Sequence, residues 1–156
     1  MHTDMKRILF VCHGNICRSP MAEYIFRDEA RKAGLEACAA SAATSGEEIW
    51  RGVGNPVYPP VKKLLAARGI DCGEKRARLL TTRDYADFDL IVVMDGANLR
   101  NTLRVFGGDP EGKVRKLLDF TGDGGDVADP WYTRDFAAAE RDIDEGVRAL
   151  IGYFKD

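Results

Sequence analysis

The chain has 156 residues, of which 31% are charged, and its 23 Lys and Arg against 25 Asp and Glu leave a net charge of −2. That balance suits one globular domain over residues 1–156 and argues against a partner held by bulk charge, nucleic acid above all. No apolar run approaches the roughly 20 residues of a spanning helix, and the start, MHTDMKRILFVC, lacks the plan of a signal peptide. The expectation is a cytoplasmic protein with no membrane partner.

Residues 7–11 (RILFV) are a short apolar run of strand-forming residues, followed at once by HGNICRSP. Met21, Ala22, Ile25, Phe26, Ala30 and Ala33 then recur at helical spacing, with Pro20 in the first turn and Gly34 as the stop. An alanine-rich strand is expected over 35–41. A polar loop follows over 44–60, then a helix over 61–68 ended by Gly69. Residues 89–94 (DLIVVM) are the clearest strand, an unbroken apolar run of the kind buried on both faces. Asp95 can cap the helix GANLRNTLRVF behind it. The pattern predicts a fourth strand over 114–120, a Gly- and Asp-rich loop over 121–131, and a long helix from about residue 134. On that helix Phe136, Ala139, Ile143, Val147, Leu150, Ile151 and Phe154 share one face. Strands alternating with helices imply an α/β fold, a parallel sheet covered on both faces. Such sheets bind ligands at the carboxyl ends of their strands.

The segment Cys12-His13-Gly14-Asn15-Ile16-Cys17-Arg18-Ser19 joins a strand to a helix. A loop that feeds a helix N-terminus turns backbone N–H groups inward and cradles an anion. Gly14 and Asn15 tolerate the positive φ angles of a tight loop. Arg18 offers a planar fork for phosphate. Cys12 sits where the helix end, Arg18 and the N–H groups all favour its thiolate. The segment lacks the Gly-Lys-Ser/Thr ending of an ATPase phosphate loop. A thiolate that takes a phosphoryl group leaves behind an oxyanion that needs a proton, and one carboxylic acid nearby would supply it. Asp129, in Ala-Asp-Pro-Trp-Tyr, is the candidate, with Trp131 and Tyr132 to wall a flat substrate. Asp-Pro is also a plain turn signal, and Asp123 and Asp126 are rivals in the same loop. Cys38, in an apolar stretch, reads as a small buried hydrophobe. His2 is assigned nothing.

Taken together, the chain resembles the low-molecular-weight protein tyrosine phosphatases. The resemblance rests on VCHGNICRSPMAE, SAATSG, GNP, FDLIVVMD, NLR and DPWY, in that order along nearly the whole length. It implies a flavodoxin-like, three-layer α/β/α fold around a four-stranded parallel sheet. It further implies hydrolysis of phosphotyrosine and other aryl phosphate monoesters without metal or cofactor. Carried over by position, Cys12 forms a phosphocysteine, Arg18 holds the phosphate, and Asp129 serves as acid and then as base toward water. The phosphate loop is His13, Gly14, Asn15, Ile16, Cys17, Arg18 and Ser19. Ser19 hydrogen-bonds the Cys12 sulfur, Asn15 braces the loop through contacts that include Ser41, and Cys17 pairs reversibly with Cys12 on oxidation. The implied partner is a phosphotyrosine protein, a tyrosine kinase among the candidates, and the size suits a monomer.

Two places depart from the family pattern. Lys75 stands where members often carry a His, and the stretch EEIWRGVGNP looks longer than usual. Trp50 is expected as the substrate-wall aromatic there, with Glu47 as the alternative. Two other readings compete. A thioredoxin-coupled arsenate reductase would need two further cysteines close together, and only Cys72 lies in the right segment. A phosphate-binding module without catalysis would be expected to lose Cys12 or Asp129 and keep Arg18.

Overall fold

The computed structural model describes residues 5–155. His2, to which the sequence assigned no role, lies outside them. In chain order the elements are β1 (Lys6–Cys12), α1 (Arg18–Lys32), β2 (Ala37–Ala43), β3 (Ile49–Trp50), β4 (Val53–Gly54), α2 (Pro59–Ala67), α3 (Asp84–Asp87), β5 (Leu90–Val93), α4 (Gly96–Phe106), β6 (Val114–Lys116), α5 (Pro130–Thr133) and α6 (Phe136–Lys155). Strands β2, β1, β5 and β6 lie side by side in that order, all parallel, and the fold is the three-layer α/β arrangement expected.

Successive strand residues face opposite sides of a sheet. Ile8 and Phe10 of β1 therefore enter a core with Met21, Ile25 and Phe26 of α1 and Ile143, Val147 and Leu150 of α6. Leu9 and Val11 face the other way, toward Leu99 and Leu103 of α4. All four of these β1 residues are fully buried, and each such side chain contributes about 1.5–3 kcal/mol. This double burial fixes the end of β1 at the centre of the sheet. The loop after Cys12 consequently opens at the sheet's carboxyl edge, between the ends of β2 and β5.

Four local expectations change. The second strand starts at Ala37, because Gly34 turns at φ +71° and the Leu35 amide closes helix α1 on the Ala30 carbonyl. Strand β6 stops at Lys116, and residues Leu117–Thr121 coil into a 3-10 turn. Leu117 and Leu118 both enter the core that α1 and α6 share, whereas successive residues of a strand would face opposite sides of the sheet. Helix α6 starts two residues late, since Arg134 takes φ +61° to close α5 and Asp135 accepts from the Ala138 amide. Finally, the polar loop over 44–60 contains the β3–β4 hairpin, turned by Arg51 (φ +51°) and Gly52 (φ +78°).

The hairpin is seated firmly on its neighbour. A Cβ on Gly54 would run into the Ala77 backbone, Ala77 donates its N–H to the Asn55 carbonyl at 2.9 Å, and Pro56 bridges to Arg76. Residues 75–78 are thereby held against the β1–α1 loop.

Candidate active site

Residues 13–17 carry the chain from β1 to the first turn of α1 and form one wall of a cleft of about 740 Å³. Asn15 takes φ +58°, a left-handed conformation that asparagine tolerates. Gly14, expected to share it, does not have a positive φ. Its lack of a side chain matters for a different reason, since a Cβ there would come 3.2 Å from Cγ of Glu48.

Cys12 lies at the floor, 3% exposed. Its Sγ is 3.0 Å from the Ser19 hydroxyl and 3.4 Å from the Ser19 N–H, which donates to it. Ser19 is fully buried beneath the sulfur and does not line the cleft. Its hydroxyl oxygen accepts a 2.8 Å bond from Asn15 Nδ2, so its proton is free to point at sulfur. The expected brace between Asn15 and Ser41 is not direct. Asn15 Oδ1 accepts from Lys75 Nζ at 3.0 Å and from the Arg78 N–H at 3.1 Å, and Lys75 also donates to the Ser41 carbonyl at 3.1 Å. Lys75 fills the place of the missing His with a working hydrogen bond.

Arg18 is 3% exposed. Its Nη1 donates to Asp95 at 2.9 Å and to the Val127 carbonyl at 3.1 Å, and its Nη2 reaches Asp129 at 3.4 Å. Burial works against the charge, but Cys12, Asp129 and Asp95 outweigh it and hold the guanidinium above its ordinary range. The side chain of Asp129 accepts from the Trp131 N–H at 3.1 Å, as N-cap of α5. The neighbouring loop is anchored to α6, where Asp142 accepts from the Ala128 N–H. Asp123 and Asp126 do not line the cleft, and Asp126 instead pairs with Lys116 at 2.9 Å. Cys17 lines the cleft; its thiol is pushed up to about 12 by burial and by Cys12.

The substrate wall differs from expectation at one point. Trp131 and Tyr132 line the mouth, but Trp50 does not. It sits on the far side of the hairpin, 74% exposed, with Arg51 over its ring. Glu47 and Glu48 occupy that rim, and Glu47 pairs with His13 at 3.0 Å. The aromatic the sequence reading overlooked is Tyr58, whose N–H donates to the Ile16 carbonyl and whose ring stacks on Phe136 at 6.0 Å. Asp95 was also overlooked, having been read only as the cap of α4, a role it fills by accepting from Asn98 N–H at 2.8 Å. Its place at the carboxyl end of a central strand was the available signal.

A thiol in an anion cradle, a captive guanidinium and a rim carboxylate on a parallel α/β sheet make up the parts of a cysteine-based phosphatase. The family model described as low molecular weight phosphotyrosine protein phosphatase matches residues 7–155. The low molecular weight protein-tyrosine-phosphatase YfkJ of Bacillus subtilis is 39% identical over 149 residues, 94% of each chain. Its crystal structure superposes with TM-score 0.91 over 99% of this chain and 98% of that one. A low molecular weight phosphotyrosine protein phosphatase of Schizosaccharomyces pombe is 43% identical over 132 residues, 85% of this chain and 79% of the relative. The YwlE arginine phosphatase, in a mutant with a phosphorylated active-site serine, superposes with TM-score 0.81 at 27% identity, covering 96% of both chains. The chain belongs to the low-molecular-weight protein tyrosine phosphatase family.

Proposed function

We propose that this enzyme hydrolyses phosphotyrosine in proteins through a phosphocysteine on Cys12. The observation that carries the reading is the meeting of Cys12 and Asp129, distant in sequence, around one guanidinium, that of Arg18. In the first step Cys12 Sγ attacks phosphorus, the bond to the phenolic oxygen breaks, and Asp129 gives that oxygen a proton. In the second, Asp129 takes a proton from water, the water oxygen attacks phosphorus, and the thiolate leaves. Phosphate oxygens entering the cradle replace the long 3.4 Å contact between Arg18 and Asp129. Asp95 and the Val127 carbonyl keep the fork aimed while that exchange occurs.

Support for a tyrosine substrate comes from the walls, where Tyr58, Trp131, Tyr132 and Phe136 offer flat faces to an aromatic ring. Support for a phosphoryl-enzyme comes from the serine-bound phosphoryl group of the YwlE mutant. The reading places the enzyme in a reducing cytoplasm, acting as a monomeric domain on phosphoprotein substrates. Its four cysteines, all free thiols, suit that compartment. No helix among the described residues is long and apolar enough to cross a membrane. An arsenate reductase is not supported, because Cys72 is buried without a second cysteine in its segment.

The test is hydrolysis of p-nitrophenyl phosphate, a phosphotyrosine peptide and a phosphoarginine peptide, side by side. The expected result is cleavage of the first two, weak action on the third, and loss of all activity in Cys12→Ser. Acid-quenched Asp129→Ala should yield a phosphorylated Cys12 peptide by mass spectrometry. A wild-type enzyme inactive on all three substrates overturns the proposal, and a preference for phosphoarginine overturns its substrate class.

A further inference from the structure

Past Asp129 the cleft wall ends in an arginine with an uncommon backbone. Arg134 closes α5, its N–H donating to the Pro130 carbonyl at 2.8 Å, and it sits at φ +61° and ψ +12°. The corresponding turn after α4 is made by Gly107 at φ +75°. Glycine holds such a left-handed turn without cost, whereas the Cβ of an arginine crowds the following carbonyl oxygen. Outliers of this kind cluster where a side chain serves a ligand. Arg134 does line the cleft, together with Trp131 and Phe136. The other ions on the same walls are engaged. Arg18 is held by Asp95 and Asp129, Glu47 pairs with His13, and Glu48 accepts from the Asn55 amide at 2.9 Å. Asp135, next to Arg134 in sequence, accepts from the Ala138 N–H at 2.9 Å. Among the described residues the Arg134 guanidinium has neither a carboxylate partner nor a side-chain hydrogen bond. Arg51, the other arginine at positive φ, differs, since it stacks on Trp50 outside the cleft.

We propose that Arg134 is a specificity-determining residue that selects phosphotyrosine flanked by acidic side chains. The proposal rests on reading the cleft as a phosphotyrosine site. Helix α5 is a single turn of four residues, and its rise sets Arg134 about 8 Å beyond Asp129. Neighbouring residues of an extended peptide lie about 3.3–3.6 Å apart. A carboxylate one or two residues from the phosphotyrosine therefore comes within reach of the Arg134 fork. The phosphoryl group itself is taken by Arg18 and the loop N–H groups, which leaves Arg134 for the flank. Its guanidinium is solvated and stands apart from the reacting atoms. The ion pair therefore acts on capture of the substrate, in KM rather than kcat, and a basic flank is repelled.

Three phosphotyrosine peptides test this, alike except for Glu, Gln or Lys at the two positions on each side of the phosphotyrosine. The full-length parent, Arg134→Gly, Arg134→Lys and Arg134→Glu are compared by kcat/KM on each. The parent should cleave the Glu peptide about three- to fivefold more efficiently than the Gln peptide, the size of a solvated ion pair, with the difference mostly in KM. Raising NaCl to about 0.5 M should remove most of that preference. Arg134→Gly, whose backbone accepts the turn, should bring the ratio close to one. Arg134→Lys should keep the preference, and Arg134→Glu should reverse it in favour of the Lys peptide. A merely structural role for Arg134 would change the rates on all three peptides together and leave their ratios in place. A parent ratio of one, or an Arg134→Gly that keeps the parent's ratio, overturns the proposal, and Arg134→Gly decides alone where Arg134→Glu does not fold. A parent that cleaves all three peptides equally leaves the phosphotyrosine reading intact and removes only the role of Arg134. One that hydrolyses p-nitrophenyl phosphate and none of the peptides defeats both.

Discussion

A phenolate is a poor leaving group, and the contact between Asp129 and Arg18 bears on how it departs. On the proposed mechanism Asp129, at the rim of the cleft beside Arg18, is the group placed to give the phenolic oxygen a proton. Asp129→Asn should therefore lower kcat on phosphotyrosine by about 10²-fold or more. The loss should be clearly smaller on p-nitrophenyl phosphate, whose leaving group needs less help; equal losses on both would remove the acid role. Oxidation follows from the same neighbourhood. The Cys17 thiol, pushed up to about 12 by burial and by Cys12, stays protonated at working pH, so peroxide should take Cys12 first. On the proposed mechanism peroxide should convert the Cys12 thiolate to a sulfenic acid, which the Cys17 sulfur should then attack with loss of water to close a disulfide. Mass spectrometry after brief peroxide treatment should find that Cys12–Cys17 link, reversible by dithiothreitol, and finding only sulfinic or sulfonic Cys12 would count against it. At this scale the sequence was informative where residue type and spacing mark a site, and Cys12, Arg18 and Asp129, singled out in that way, line one cleft. It was uninformative where geometry chooses among similar residues. Trp50 and Tyr58 lie in the same predicted loop, and only the hairpin turn at Arg51 and Gly52 sends the tryptophan outward.

Elements were legible in proportion to the regularity of their apolar pattern. β5 is a continuous buried run and α6 a one-faced helix, and both stand close to where periodicity puts them. The hairpin β3–β4 left no such trace, because two-residue strands carry no period and an Arg-Gly turn is not the Asn-Gly signal. The 3-10 turn after β6 was equally hidden, since LeuLeu reads as strand or helix until its packing partner is known. That partner is α6 at Gly146. A Cβ there would collide with Leu117, whose Cδ1 and Cδ2 are 2.9 Å from the added atom, and Leu117 is fully buried. On an exposed helix Gly→Ala gains up to about 1 kcal/mol. Here overpacking at about 1–3 kcal/mol should win, so Gly146→Ala should lower Tm. A raised Tm would mean that Leu117 can swing aside and that the close approach of α6 is not needed.

For the molecule as a whole, acid is the condition that tests its polar stitching. Asp109 ties the turn after α4 to the edge strand β6. It accepts from the Tyr85 hydroxyl at 2.7 Å, from the Lys113 N–H at 2.9 Å and from the Val114 N–H at 3.1 Å. Burial alone would raise its carboxyl, but Tyr85 and these N–H groups prevail and hold it below the usual carboxylate range. Asp28 is held low by its bond to Lys32, and Asp126 by its bond to Lys116. A carboxyl lowered in the folded state releases its proton more readily there than in the unfolded chain. Its stabilisation is complete above the unfolded value of about 3.9 and disappears as pH falls through the folded value. The urea midpoint should accordingly drop most steeply below about pH 4. Asp109 should contribute more to that slope than the other two, since Asp28 pairs with an exposed lysine and Asp126 is itself exposed. In Asp109→Asn the side chain keeps one acceptor and loses the charge, so stability at neutral pH should fall and the acid slope should flatten. Edge strand β6 leads through the 3-10 turn into the loop that carries Asp129. Loosening this stitch should therefore lower kcat before global unfolding begins. Urea unfolding and kcat measured on Asp109→Asn between about pH 3.5 and 7 check both parts. An acid slope as steep as the parent's would show that the acid sensitivity arises elsewhere in the fold.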